Sequence, residues 1–135
     1  MEYVQIGDKN WDVIVTDIQE NFNILFSQNT GRTVAVGAEM TLDPLGTFYG
    51  YQITFARKQG YEKEYDELFD YVSKPRTDGI KFNIVHNQAL WSEPFYGYIS
   101  NGSRAVKRID KNTNKVYWDK FSVNVVPMKA QVIPV

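Results

Sequence analysis

The sequence contains no cysteine and only one histidine, His86. The first absence removes disulfides, thiolate metal sites, iron–sulfur clusters and a thiol nucleophile. The second removes any centre that needs two imidazoles, such as an HExxH zinc site. An excess of one charge is also missing: 15 Lys and Arg stand against 16 Asp and Glu, a formal net charge of −1. Bulk electrostatics therefore point to neither nucleic acid nor an anionic membrane. No apolar run approaches the roughly 20 residues a membrane helix requires, so no membrane partner is expected. Residues 1–8 lack the basic and apolar segments of a secretory leader, and synthesis in the cytoplasm is the expectation. Internal repeats, low-complexity tracts and a Pro/Gly-rich linker are absent too, so residues 1–135 read as a single domain.

What the chain has is alternation and aromatics. Aromatic residues make up 15% of it and hydrophobic residues 43%, enough to build a core at this length. Over 47–57, Tyr49, Tyr51, Ile53 and Phe55 fall on one face and Gly50, Gln52, Thr54 and Ala56 on the other, the period of a half-buried strand. Ile80, Phe82 and Ile84 repeat the pattern. Residues 95–100 form another such run, and the Asn101-Gly102 dipeptide after it suits a type I′ turn that folds 104–109 back upon it. The polar stretch 110–115 turns the chain into a last strand with Tyr117, Phe121, Val123 and Val125 on one face, stopped by Pro127. Residues 11–18 read as a strand that 21–26 either continue or leave for a short helix, β-branched content favouring the strand. One segment has helical period: Tyr61, Tyr65, Leu68, Phe69 and Val72 form a single stripe, with carboxylates early and Lys74-Pro75 as the stop. The expected fold is mainly β, an antiparallel β-sandwich or small barrel with one flanking α-helix, and Leu68 and Phe69 buried beneath that helix.

Tests for chemistry return little. Residues 110–114 open like a calcium loop, but Lys115 stands where the glycine belongs and Phe121 where the bidentate glutamate belongs, so a polar turn is expected and no metal. His86 requires a Ser and a carboxylate to meet it in space before it can act as a general base, and no nucleophile signature supplies them. Glu39, Asp43, Glu93 and Asp119 are the carboxylates available for a glycosidase pair. No glycine pattern cradles phosphate, so no cofactor is expected, and Asn101-Gly102-Ser103 reads as a turn before it reads as a glycosylation site. Tyr49, Tyr51, Trp91, Tyr96, Tyr98, Tyr117 and Trp118 are candidates for stacking on sugar or bases, although strands fill with aromatics in any case. Arg104, Lys107 and Arg108 form a small basic strand edge, read as solvated.

Three stretches carry a resemblance. They are Asn29-Thr30-Gly31-Arg32-Thr33 with Gly37, Met40 and Leu42-Asp43-Pro44-Leu45-Gly46-Thr47 before the strand 49–55; the helix Glu64-Tyr65-Asp66-Glu67-Leu68-Phe69; and the run 117–128. Their order resembles that of tail proteins of long-tailed bacteriophages and prophages, in particular tail-tube-like and baseplate-hub subunits. The resemblance spans roughly residues 10–130 and rests on pattern and order. It implies a non-enzymatic structural subunit of the virion tail, assembled into a ring, commonly hexameric, around a channel through which DNA passes as non-specific cargo. Further copies of itself and neighbouring tail or baseplate proteins would be its partners. The segment Asn29, Thr30, Gly31, Arg32 and Thr33 would then reach towards a neighbour from a projecting hairpin, with Arg32 as its contact. The near-neutral charge departs from the strongly acidic lumen of some tubes, which counts against an exact tube role and leaves a baseplate or adaptor role open. A carbohydrate-binding β-sandwich and a small hydrolase using His86 or carboxylates are the rival readings.

Overall fold

The computed structural model describes residues 1, 3–34, 36–88 and 93–135; Trp91 lies outside the described residues. Among the described residues, eight strands and one helix follow in the order β1 (Val4–Ile6), β2 (Ile14–Phe26), β3 (Gly31–Arg32), β4 (Met40–Thr41), β5 (Pro44–Ala56), α1 (Glu62–Ser73), β6 (Ile80–Ile84), β7 (Phe95–Asp110) and β8 (Lys115–Pro127). Six of the strands form one antiparallel sheet ordered β1-β6-β7-β8-β5-β2, while β3 and β4 pair as a separate small ribbon. The sheet curls into a half-barrel.

Connectivity helps explain the curl. The outer strands β1 and β2 are consecutive in the chain, yet five strand spacings of about 4.8 Å would separate them by roughly 24 Å in a flat sheet. The link between them, 7–13, is only seven residues long and is partly turned, with Gly7 donating to the Lys81 carbonyl at 2.8 Å and the Trp11 indole to the Ile6 carbonyl at 3.1 Å. A chain that short and that folded favours a sheet whose edges approach each other. The alternating positions then share one interior: Tyr51, Ile53 and Phe55 of β5, Phe121, Val123 and Val125 of β8, and Ile80, Phe82 and Ile84 of β6 are all buried with Val4 and Ile6.

Helix α1 fills the open side with the stripe its spacing predicts, burying Tyr65, Leu68 and Val72. Tyr65 and Phe69 both meet Phe121 edge-on, at 5.1 and 5.5 Å between centroids, and the Tyr65 hydroxyl donates to the Asp119 carbonyl at 2.5 Å. Phe69 is only half-buried, in contrast to the expectation. Its free flank is covered by Arg104, which is therefore not a solvated edge residue. The guanidinium carbon lies 3.7 Å from the Phe69 centroid and 4.0 Å from that of Trp118, with Asp66 3.5 Å away.

A second expectation is overturned at Asn101-Gly102. No turn forms there: β7 runs unbroken from Phe95 to Asp110, with Asn101 opposite Asn124 and Gly102 opposite Val123 on β8. The dipeptide serves the ladder in another way. A register shift falls between Ile99 and Asn101, and a Cβ on Gly102 would sit 2.9 Å from the Ser122 carbonyl oxygen, so glycine permits a close strand approach. The Asn101 amide oxygen accepts from the Asn124 side chain across the pair. The real turn is 111–114, where the Asp110 carboxylate accepts the Asn112 N–H at 3.0 Å. That bond, with contacts from Thr113, holds the Asp110 carboxyl below its ordinary value.

Candidate functional site

Two hairpins outrun the shared sheet. Strands β5 and β8 pair only where Tyr51–Phe55 faces Phe121–Val125. Beyond that block β5 continues with β2 in one direction, and β8 continues with β7 in the other, so the two arms leave opposite ends of the sheet. The β2–β5 arm is in register from Ile14↔Ala56 to Phe26↔Pro44. Thirteen residues at about 3.3 Å each make β2 roughly 43 Å long.

At the tip of this arm lies the segment the sequence singled out. Gly31 and Arg32 form β3 and pair with Thr41 and Met40. Thr30 is tied to Asp43, its hydroxyl accepting the Asp43 N–H at 2.8 Å, and the Ser27 hydroxyl donates to the Asp43 carboxylate at 2.5 Å. Asn29 donates its N–H to the Ser27 hydroxyl, Thr33 donates its N–H to the Glu39 carbonyl, and Arg32 reaches the Ala38 carbonyl at 3.4 Å. Asn29, Thr30, Gly31, Arg32 and Thr33 thus stand together on a projecting hairpin, and these bonds, all internal to it, fix its shape.

The flanks of the arm differ. On the β8 side, β5 is covered where β8 departs. Gln131 takes the Tyr49 N–H on its side-chain oxygen at 3.0 Å and returns its amide to the Tyr49 carbonyl at 3.2 Å, while Val132 bridges Thr47. Gly46 admits this crossing, since a Cβ there would lie 2.5 Å from that of Ala130. On the other side β2 is the end of the sheet, and among the described residues it pairs with β5 alone. Phe22, Ile24, Leu25 and Phe26 on this edge are 43–65% exposed.

A cleft of about 670 Å³ opens near the closure of the half-barrel, lined by Tyr49, Tyr51, Asp78, His86, Glu93, Tyr96 and the segment 128–132. His86 is held by Glu20, Nδ1 to Oε2 at 2.8 Å, and its ring lies 4.8 Å from that of Tyr49. Glu20 is not legible in the sequence as a partner of His86, because 66 residues separate the two and only the curl of the sheet brings them together. Burial, with a smaller contribution from Glu20, pushes the Tyr51 phenol well above its ordinary value. The four carboxylates considered for hydrolysis are dispersed: Glu39 and Asp43 belong to the arm tip, Glu93 lines the cleft, and Asp119 lines a groove beside the β7–β8 arm. Among the described residues, no three His, Asp or Glu side chains group as a metal would require, and no helix is long and apolar enough to cross a membrane.

No protein-family model matches the chain, and no curated protein shows significant similarity to it.

Proposed function

We propose that this chain is a structural assembly subunit that joins to copies of itself through the β2–β5 arm, in the manner of the ring-forming tail subunits of long-tailed phages. One observation carries the reading: a 13-residue edge strand, with an open hydrogen-bonding side among the described residues, displays Phe22, Ile24, Leu25 and Phe26 to solvent. A long apolar edge is an aggregation hazard unless another strand pairs with it, and a second copy supplies one by adding its own strand. Heterologous contacts between identical chains close into rings when the rotation allows, six-fold being the expectation drawn from the tail resemblance. In this reading the arm tip, with Arg32 exposed, touches the neighbour, the subunit resides in the virion tail and no catalytic step is involved.

The test is a photo-cross-linker placed at Arg32, with sedimentation and electron microscopy of concentrated protein. Cross-links between copies, and closed particles that Ile24→Lys abolishes while the far-ultraviolet spectrum stays unchanged, are expected. A chain that stays monomeric at every concentration and cross-links only within itself ends the reading.

The cleft favours a second reading, a carbohydrate-binding module, because it gathers Tyr49, Tyr51 and Tyr96 beside His86 and Asp78. Calorimetric binding of a soluble oligosaccharide that Tyr49→Ala removes would support it over assembly.

A further inference from the structure

The near-neutral total conceals a segregation of charge. Between Asn101 and Lys120 stand six Lys and Arg and only two Asp, a net charge of +4, which leaves −5 on the rest of the chain. Most of it stands clear of the sheet: β6 pairs with β7 only at Phe95–Gly97 and β5 pairs with β8 only from Phe121 onward, so past the Arg104↔Phe121 pair β7 and β8 have only each other. Beyond Arg104 it is a two-stranded ribbon, roughly 20 Å long at about 3.3 Å per residue.

The charges on the ribbon are not equally committed. Arg104 is consumed inside, on Phe69, Trp118 and Asp66. The two carboxylates are also engaged, Asp110 by the Asn112 N–H and Asp119 by the Lys120 N–H at 2.8 Å. Lys107, Arg108, Lys111, Lys115 and Lys120 remain, all exposed and in none of the ion pairs among the described residues. Arg108 is steadied by the Tyr117 ring, its guanidinium 4.4 Å from the ring centroid, and forms no ion pair among the described residues.

We infer that the β7–β8 arm binds duplex DNA through its phosphates, independently of whether the chain forms rings. Five exposed cations outside every described ion pair, of which Lys115 and Arg108 feel a nearby carboxylate (Glu62 and Asp110), are on one slender ribbon the chemistry of a polyanion contact. The shape selects among polyanions. The B-form major groove, about 12 Å wide, admits a two-stranded β-ribbon, whereas the deep, narrow major groove of A-form RNA does not.

The test uses the full chain and a fluorescently labelled, mixed-sequence DNA duplex followed by anisotropy. Competitors are the unlabelled single strand and vesicles of phosphatidylserine and phosphatidylcholine. With about four phosphates neutralised, affinity should fall on the order of 100-fold between about 50 and 200 mM salt. Lys107→Glu with Lys111→Glu should abolish binding at low salt. Lys74→Glu with Lys129→Glu, which makes the same change in net charge away from the arm, should leave most of it. Absence of binding at low salt, equal loss in both double variants, or tighter binding to the single strand or the vesicles would each overturn the inference.

Discussion

Glu20 and His86 are joined at 2.8 Å although their positions in the sheet are four strands apart: Glu20 lies on β2 and His86 just past the end of β6. Laid flat, that separation would be roughly 19 Å at about 4.8 Å per strand. The pair therefore fastens one side of the half-barrel to the other, next to the cleft. Both side chains are about 30% exposed, so the bond itself is modest, and Glu20→Ala should cost only about 0.5–1 kcal/mol. Its signature should be local. Amide exchange along the first half of β2 should accelerate while the β7–β8 amides keep their protection. Uniform acceleration across the sheet would mean that the pair does not govern closure.

Phe121 is where the helix and the sheet meet. It is fully buried and touches Phe55, Tyr65 and Phe69, so Phe121→Ala should cost about 3–5 kcal/mol. Phe69→Ala should cost less, about 2 kcal/mol, because one flank of the ring meets Arg104 where a buried ring would meet apolar side chains. Denaturant unfolding of the two variants gives the order directly, and a larger loss at Phe69 would contradict the packing described.

How much of this was legible in the sequence follows from the range of each interaction. Alternation located β5, β6 and the buried half of β8, because burial on one face is written every second residue, and the stripe at Tyr65, Leu68 and Val72 located α1 for the same reason. The three-residue β1 and the ribbon β3–β4 were too short for any periodicity to register. Asn101-Gly102 misled because the local preference of a dipeptide for a turn was outweighed by pairing over the length of β7. The tip at Asn29 to Thr33 was found from its polar, glycine-containing character between strand-like flanks. The cleft was not, since it is assembled from residues as distant as Tyr49, His86 and Gln131. Net charge hid the basic arm because a sum over the chain carries no positions.

Gly102 separates the strand from the turn. In a type I′ turn it would need a positive φ; in the structure it has no such need, and the constraint is the Ser122 carbonyl against its α-carbon. Gly102→Ala should therefore destabilise by about 1–3 kcal/mol through overpacking. Asn101→Ala, which removes only an exposed side-chain bond to Asn124, should cost under about 1 kcal/mol. Equal costs would favour a turn-like role for both residues.

Tyr51 and Tyr65 should make the fold sensitive to alkali. Both phenols are raised above the ordinary value of 10.0, burial being the largest cause for each. A group whose folded value is raised contributes its full stability below its unfolded value and loses it as pH climbs towards the folded one. Stability should accordingly hold up to about pH 10 and decline beyond it, with the phenolate absorbance of part of the tyrosine complement delayed until unfolding. Tyr51→Phe removes the ionisable group while keeping the ring against Phe95, 5.9 Å away, and should shift the alkaline decline to higher pH. Tyr65→Phe should show the same shift but start from a lower stability, because it also deletes the bond to the Asp119 carbonyl. If neither variant moves the alkaline midpoint, deprotonation of these two residues is not what limits the fold at high pH.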